Sequence, residues 1–156
     1  MSIDDHDRHF LTIAVDLAEQ ALMGGDEPFG SVLVSGGEVL VADHNHVAAG
    51  DRTRHPEFTI AKWAVENLSP EQRAAAVVYT SGEHCPMCAA AHGWVGLGRI
   101  VYASSSAQLG EWLTEWGVPA GPVAGLPITA VVPGAVVDGP DDELAERVRA
   151  LHRRRF

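Results

Sequence analysis

At 156 residues, 46% hydrophobic and 21% charged, the chain is sized for a single domain spanning 1–156 with a core that needs no covalent staples. Eleven Lys and Arg against 21 Asp and Glu give a formal net charge of −10, which argues against a polyanion-binding surface and so against nucleic acid as partner. Only two cysteines are present, both in one C-x-x-C, which excludes a secreted disulfide scaffold.

The first residues, Met1-Ser2-Ile3-Asp4-Asp5, are acidic and lack the basic and apolar regions of a signal peptide, and no apolar run reaches the roughly 18–20 residues that cross a bilayer. A cytoplasmic protein without membrane contact is expected. From Asp4 to Met23, apolar residues at Phe10, Ile13, Ala14, Leu17, Ala21 and Leu22 mark one face of a helix, which Gly24-Gly25 ends. Phe29 to Val34 and Glu38 to Ala42 read as two strands of a hairpin around Ser35-Gly36-Gly37. The polar loop from Asp43 to Arg54 holds His44, Asn45 and His46. A second helix is predicted from His55 to Leu68, with Pro56 in its first turn and Ser69-Pro70 as a break.

Ala75 to Thr80 is nearly all apolar, as in a buried central strand. The Cys pair then opens a third helix to about Val95, stopped by Gly96 and Gly98, and Arg99 to Ala103 forms a further strand. Ser106 to Trp116 is predicted as a helix, Ala120 to Pro127 as a connector and Ile128 to Val132 as the last strand. Asp141 to Arg154 is a closing amphipathic helix. Strands and helices alternating through the middle predict an α/β sandwich with partly parallel central strands.

Two segments carry the chemistry: His55-Pro56-Glu57 and Glu83-His84-Cys85-Pro86-Met87-Cys88. One imidazole and two thiols supply three zinc ligands, one short of a closed tetrahedral site, with the Glu57 carboxylate beside the opening. Both thiols fall in the first turn of a helix, where free amide N–H groups and the helix dipole favour thiolate. A redox dithiol would leave His55 and Glu57 without a task. A fourth ligand from His84 or His92 would instead make the site structural. The open arrangement favours catalysis over both.

H-x-E followed by C-x-x-C is the pattern of the zinc-dependent nucleobase deaminases. The chain resembles the cytidine and deoxycytidylate deaminase superfamily, in its branch of guanine deaminases, cytosine deaminases and tRNA adenosine deaminases, and guanine deaminases most. The likeness extends over most of the chain, through Glu27-Pro28-Phe29-Gly30 and Asn45 to both metal motifs. It implies a three-layer α-β-α sandwich around a five-stranded mixed sheet.

It also implies an aminohydrolase in which His55, Cys85 and Cys88 hold zinc that activates water. Glu57 then moves protons from that water to the ring nitrogen and the departing amine, releasing ammonia. The Cys85 backbone N–H would stabilise developing charge. Departures from the pattern are Pro56 between His and Glu, His84 in place of proline before the first Cys, and bulky Phe58 after Glu57.

Further substrate contacts are expected from Asn45, whose alternative is a turn residue, and from Phe29 and Trp94 flanking a planar ring. Glu115, within Glu111-Trp112-Leu113-Thr114-Glu115-Trp116, would accept N–H bonds, and His84 would shape the pocket. The final Leu151-His152-Arg153-Arg154-Arg155-Phe156 resembles the guanine deaminase tail, placing Phe156 near an active site, in some relatives a partner's. His44, His46 and His92 are read as surface or loop residues with no role. The expected substrate is a small heterocyclic amine, guanine-like purine first, cytosine- or triazine-type rings second, tRNA adenosine third. The expected assembly is a homodimer.

Overall fold

In the computed structural model, which describes residues 2–156, helix α1 (Asp5–Met23) starts at a reciprocal cap. The Asp7 N–H donates to Asp4 Oδ1 at 2.8 Å and the Asp4 N–H to Asp7 Oδ2 at 3.1 Å. Its apolar stripe, including Phe10, Ala14, Val15 and Ala18, is buried. Strands β1 (Gly30–Ser35) and β2 (Glu38–His44) form the expected hairpin, with Gly36 and Gly37 at φ 58° and 79° in the tight turn. At Gly30 the chain passes so close to α1 that a Cβ would meet the Ala14 carbonyl oxygen and Leu17 Cβ.

Helix α2 (Pro56–Asn67) follows, then α3 (Pro70–Ala75) where the sequence reading placed only a break. Ser69 and Gln72 build a capping box there, enough to turn the segment into one more short helix. Strand β3 (Val77–Gly82), helix α4 (Pro86–Val95), strand β4 (Ile100–Ser104) and helix α5 (Ser106–Glu115) come next. Helix α6 (Ile128–Val131), strand β5 (Val137–Asp138) and helix α7 (Asp142–Arg155) complete the chain.

Ile128–Val132 is therefore not the last strand. A short apolar segment between Pro127 and Pro133 fits a buried helical turn as well as a strand. The Glu83 carboxylate accepting the Ile128 N–H at 2.8 Å, together with Ile128 buried beside Ala89 and Ile100, fixes it as helix. The edge position passes to β5.

The five-stranded mixed sheet runs β2-β1-β3-β4-β5, antiparallel through β2-β1-β3 and parallel through β3-β4-β5. Alternate residues face opposite layers. Val32, Tyr79 and Val101 join the core with Phe10, Leu11 and Val148 of α1 and α7. Leu33 and Val78 pack with Ile60 and Ala64 of α2 on the other side, where Ile100 meets Ala89 of α4. The result is the α-β-α sandwich anticipated from the resemblance. Among the described residues no helix is long and apolar enough to cross a membrane.

Candidate active site

Two helix starts converge on the site. His55 is the N-cap of α2, with Pro56 as its first residue and Glu57 in its first turn. Cys85 is the N-cap of α4, with Pro86 first and Cys88 one turn on. In both places proline tolerates the missing backbone hydrogen bond, and α2 packs against α4 so that the two starts meet.

His55 Nδ1 lies 3.5 Å from Cys85 Sγ and 3.6 Å from Cys88 Sγ. Metal bonds of about 2.3 Å to sulfur and about 2.0 Å to nitrogen, meeting at a tetrahedral angle, set N and S roughly 3.5 Å apart. The three donors thus already stand at the separations a shared zinc ion requires. Their chemistry agrees with that fit. The Cys85 thiol is lowered to about 4 by a hydrogen bond from Cys88 and by His55 beside it, against the opposing effect of burial. Cys88 is pushed up by the same pairing with Cys85 and by burial. His55 is raised by its hydrogen bond to Cys85. The pair holds one negative charge, and a divalent cation taking the place of the remaining protons satisfies all three donors.

Glu57 is buried, and desolvation raises its pKa against the hydroxyl hydrogen bonds from Thr80 and Ser31. Thr80 Oγ1 lies 2.8 Å and Ser31 Oγ 3.0 Å from Glu57 Oε1. A carboxyl held in one position and eased toward its protonated form is suited to accepting and returning a proton. His55, Glu57 and Cys85 line one pocket of about 300 Å³, with Phe29, Glu83, Pro86, Leu109, Leu113 and the Ala120–Gly125 stretch contributing to its walls.

Of the residues singled out from sequence, Phe29 stands in this pocket with His55, Cys85 and Glu57. Cys85, as N-cap, has its backbone N–H at the open end of α4. The other expected contacts fall elsewhere. Asn45 is buried directly after β2, its Oδ1 accepting the Val47 N–H at 3.0 Å and the Glu27 N–H at 3.3 Å, the work of a loop organiser. Trp94 is 89% exposed on α4. Glu115 pairs with Arg149 at 3.0 Å on the surface. Phe156 is half exposed, beneath Arg155.

His84 is buried and does not line the pocket; it stands edge-on to His92 at 5.4 Å, and burial pushes its pKa well down. His92 is not a surface residue. It is buried, with Nε2 2.7 Å from the Gly98 carbonyl oxygen, and so it is not a fourth metal donor. Phe58 lies in a separate groove with Lys62 and Val65.

Sequence reasoning missed Glu83 and the α5 wall. Glu83 Oε1 accepts the Ser106 N–H at 2.9 Å and Oε2 the Ile128 N–H at 2.8 Å, so one carboxylate caps α5 and α6 and faces the pocket. The i, i+4 spacing of Leu109 and Leu113 is a signal that a shared face was present, though not what it faces.

Residues 4–104 match the family model of the cytidine and deoxycytidylate deaminase zinc-binding region. A guanine deaminase of Bacillus subtilis is 35% identical over 104 residues, covering 65% of this chain and 67% of its own. A tRNA-specific adenosine deaminase of Agrobacterium fabrum is 32% identical over 103 residues, covering 65% and 68%. A Schizosaccharomyces pombe protein named "Probable cytosine deaminase" is 31% identical over 108 residues, covering 69% and 65%. Among solved structures, the guanine deaminase of Bacillus subtilis superposes with a TM-score of 0.60 at 28% identity, covering 80% of this chain and 83% of that one. The guanine deaminase from Nitrosomonas europaea, at 20% identity, shares the fold with a TM-score of 0.69 over 93% and 81%.

Proposed function

The chain belongs to the cytidine and deoxycytidylate deaminase zinc-binding family, and from that premise we propose that it hydrolyses the amino group of a free nucleobase, guanine or a similar aminated purine, to ammonia. The observation that carries this reading is that His55, Cys85 and Cys88 stand at zinc-ligand separations, and that His55 and Cys85 line the same pocket as the buried Glu57. Zinc, when bound by those three donors, supplies a Lewis acid that brings water to a reactive state near neutral pH.

The chain's own residues do the rest. Glu57, fixed by Ser31 and Thr80, takes one proton from the water and gives it to the ring nitrogen as the C–O bond forms, then takes the second proton from the new hydroxyl and gives it to the amine, which leaves as ammonia when the C–N bond breaks. The Cys85 backbone N–H, at the start of α4, is the group we assign to stabilising developing negative charge. Phe29, Leu109 and Leu113 supply apolar walls for a planar ring and exclude water from it.

The size of the pocket favours a base over a larger substrate, since about 300 Å³ is the lower end of the roughly 300–1,000 Å³ typical of ligand sites. The net charge of −10 disfavours a tRNA substrate. A cytosine- or triazine-type ring is the second reading, favoured by the same small volume. We further propose a homodimer, with the tail at Phe156 exchanged or packed between subunits; sedimentation of wild type and a chain lacking Phe156 tests it. The substrate is decided by ammonia release from zinc-loaded protein against guanine, cytosine, adenine, their nucleosides and aminated triazines. Guanine turned over best supports the purine reading; turnover of cytosine alone transfers it to the second.

A further inference from the structure

Besides His55, Cys85 and Cys88, one other group among the described residues brings metal-ligating side chains together: Asp26, His44 and His46, each with a donor atom within 4.8 Å of the others. Asp26 follows the turn that ends α1, its N–H bonded to the Ala21 carbonyl oxygen at 2.9 Å. His44 is the last residue of β2, opposite Gly30, and His46 lies two residues on. The two imidazoles stack with centroids 4.4 Å apart at 30°. All three side chains are half-buried.

The hydrogen bonds around these residues occupy one side of each and leave the other. His44 Nδ1 is 2.8 Å from the Asn45 carbonyl oxygen, which can only accept, so Nδ1 carries the proton and the Nε2 lone pair is available. His46 Nε2 is 2.9 Å from Asp43 Oδ1, which orients the ring in the carboxylate–histidine manner of metal sites and leaves Nδ1. Asp26 Oδ1 accepts the Ala48 N–H at 2.9 Å, leaving Oδ2. Each residue has an outer partner that holds its tautomer or rotamer, which limits how far the side chains must move to take up a metal. The carboxyl end of α1, with no basic residue in its last turn, adds negative potential beside Asp26.

We propose that Asp26, His44 and His46 form a second divalent-metal site, separate from the catalytic pocket, for zinc or another late first-row ion. Two imidazoles and one carboxylate suit this class of ion and disfavour calcium and magnesium, which take oxygen ligands. The site is structural. It joins the end of α1, the end of β2 and the start of the loop that leads to His55, a loop also closed by the His46 N–H donating to the Arg54 carbonyl oxygen at 3.0 Å. A bound ion holds that loop, and with it the entry of α2, in one position.

The test is zinc stoichiometry by elemental analysis after equilibrium dialysis of the full chain against zinc. The site requires two zinc ions per wild-type chain and one in H44A/H46A, which keeps His55, Cys85 and Cys88. The complementary C85S/C88S variant is expected to retain one. A single zinc in saturated wild type, or two in H44A/H46A, overturns the proposal. D26N guards against misfolding of the double variant, because Asn still accepts the Ala48 N–H. It is expected to weaken the second zinc by about tenfold or more with the first unchanged, and an unaltered second affinity overturns the three-donor site. The count of metal ions is independent of deamination, so it separates this proposal from the catalytic one.

Discussion

Ser31 on β1 and Thr80 on β3 are direct antiparallel partners, and their hydroxyls, 2.8 Å apart, both reach Oε1 of Glu57 on α2. The sheet thus holds, through a cross-strand pair far from it in sequence, the carboxyl that we propose transfers protons. Replacing Thr80 by Val keeps the shape of a buried side chain and removes the closer hydroxyl. We expect kcat to fall by about 10–100-fold with zinc content unchanged, and S31A to act in the same direction less strongly. Steady-state kinetics alongside elemental analysis checks both.

Glu83 supports two helix starts with one carboxylate, on Ser106 and Ile128. E83A leaves both N–H groups without that acceptor, at a cost of about 1–2 kcal/mol for each cap lost. Because α5 also lines the pocket, KM should rise along with the loss of stability. E83Q, which retains one acceptor oxygen, should recover part of both in urea unfolding and in kinetics.

Arg99 links α1 to the sheet edge. Its guanidinium donates to Asp7 Oδ1 at 2.8 Å and Oδ2 at 3.1 Å, and through Nε to Asp138 Oδ2 at 2.9 Å. Burial opposes ionisation of Asp7, but Arg99, the Asp4 N–H and Tyr79 hold its carboxyl down at about 2. Removing the cation takes the charge partner from the largely buried Asp7 carboxylate. R99A should destabilise the fold by about 3 kcal/mol, measured by denaturant unfolding.

His152 is buried edge-on to the pocket residue Phe29 at 5.0 Å, and burial, then Arg155, lowers its pKa to about 4 from 6.5. A depressed folded-state value means the neutral ring is the stabilising form. Its contribution is complete above pH 6.5 and lost as pH falls from 6.5 toward 4. The loss amounts to at most roughly 3 kcal/mol at the acid end. H152Q should flatten that part of the stability–pH curve, and thermal melts across this range test it.

Much of this architecture is legible in the residues themselves. Periodicity and glycine punctuation delimit α1 and the hairpin, and the two short motifs mark the metal donors and Glu57, because ligand chemistry and proline at a helix start are local properties. What escaped was set by tertiary packing. Ile128–Val131 becomes helical through Glu83, a partner more than forty residues away. His84 and His92 turn inward because neighbouring layers surround them, and no local pattern announces that. Trp94, plausible as a ring-stacking residue by type, lies on the outer surface of α4. Ser31 and Thr80 carry no motif and Glu83 only opens one, and strand register and helix placement alone reveal their tasks.

The most direct measurement is ammonia release from guanine by wild type and E57Q, with zinc determined on the same samples. Wild type should release ammonia, while E57Q should carry the same zinc and be slower by at least about 10²–10⁴-fold. Comparable release by both proteins, or none by zinc-loaded wild type from guanine or any other aminated base, would contradict the account.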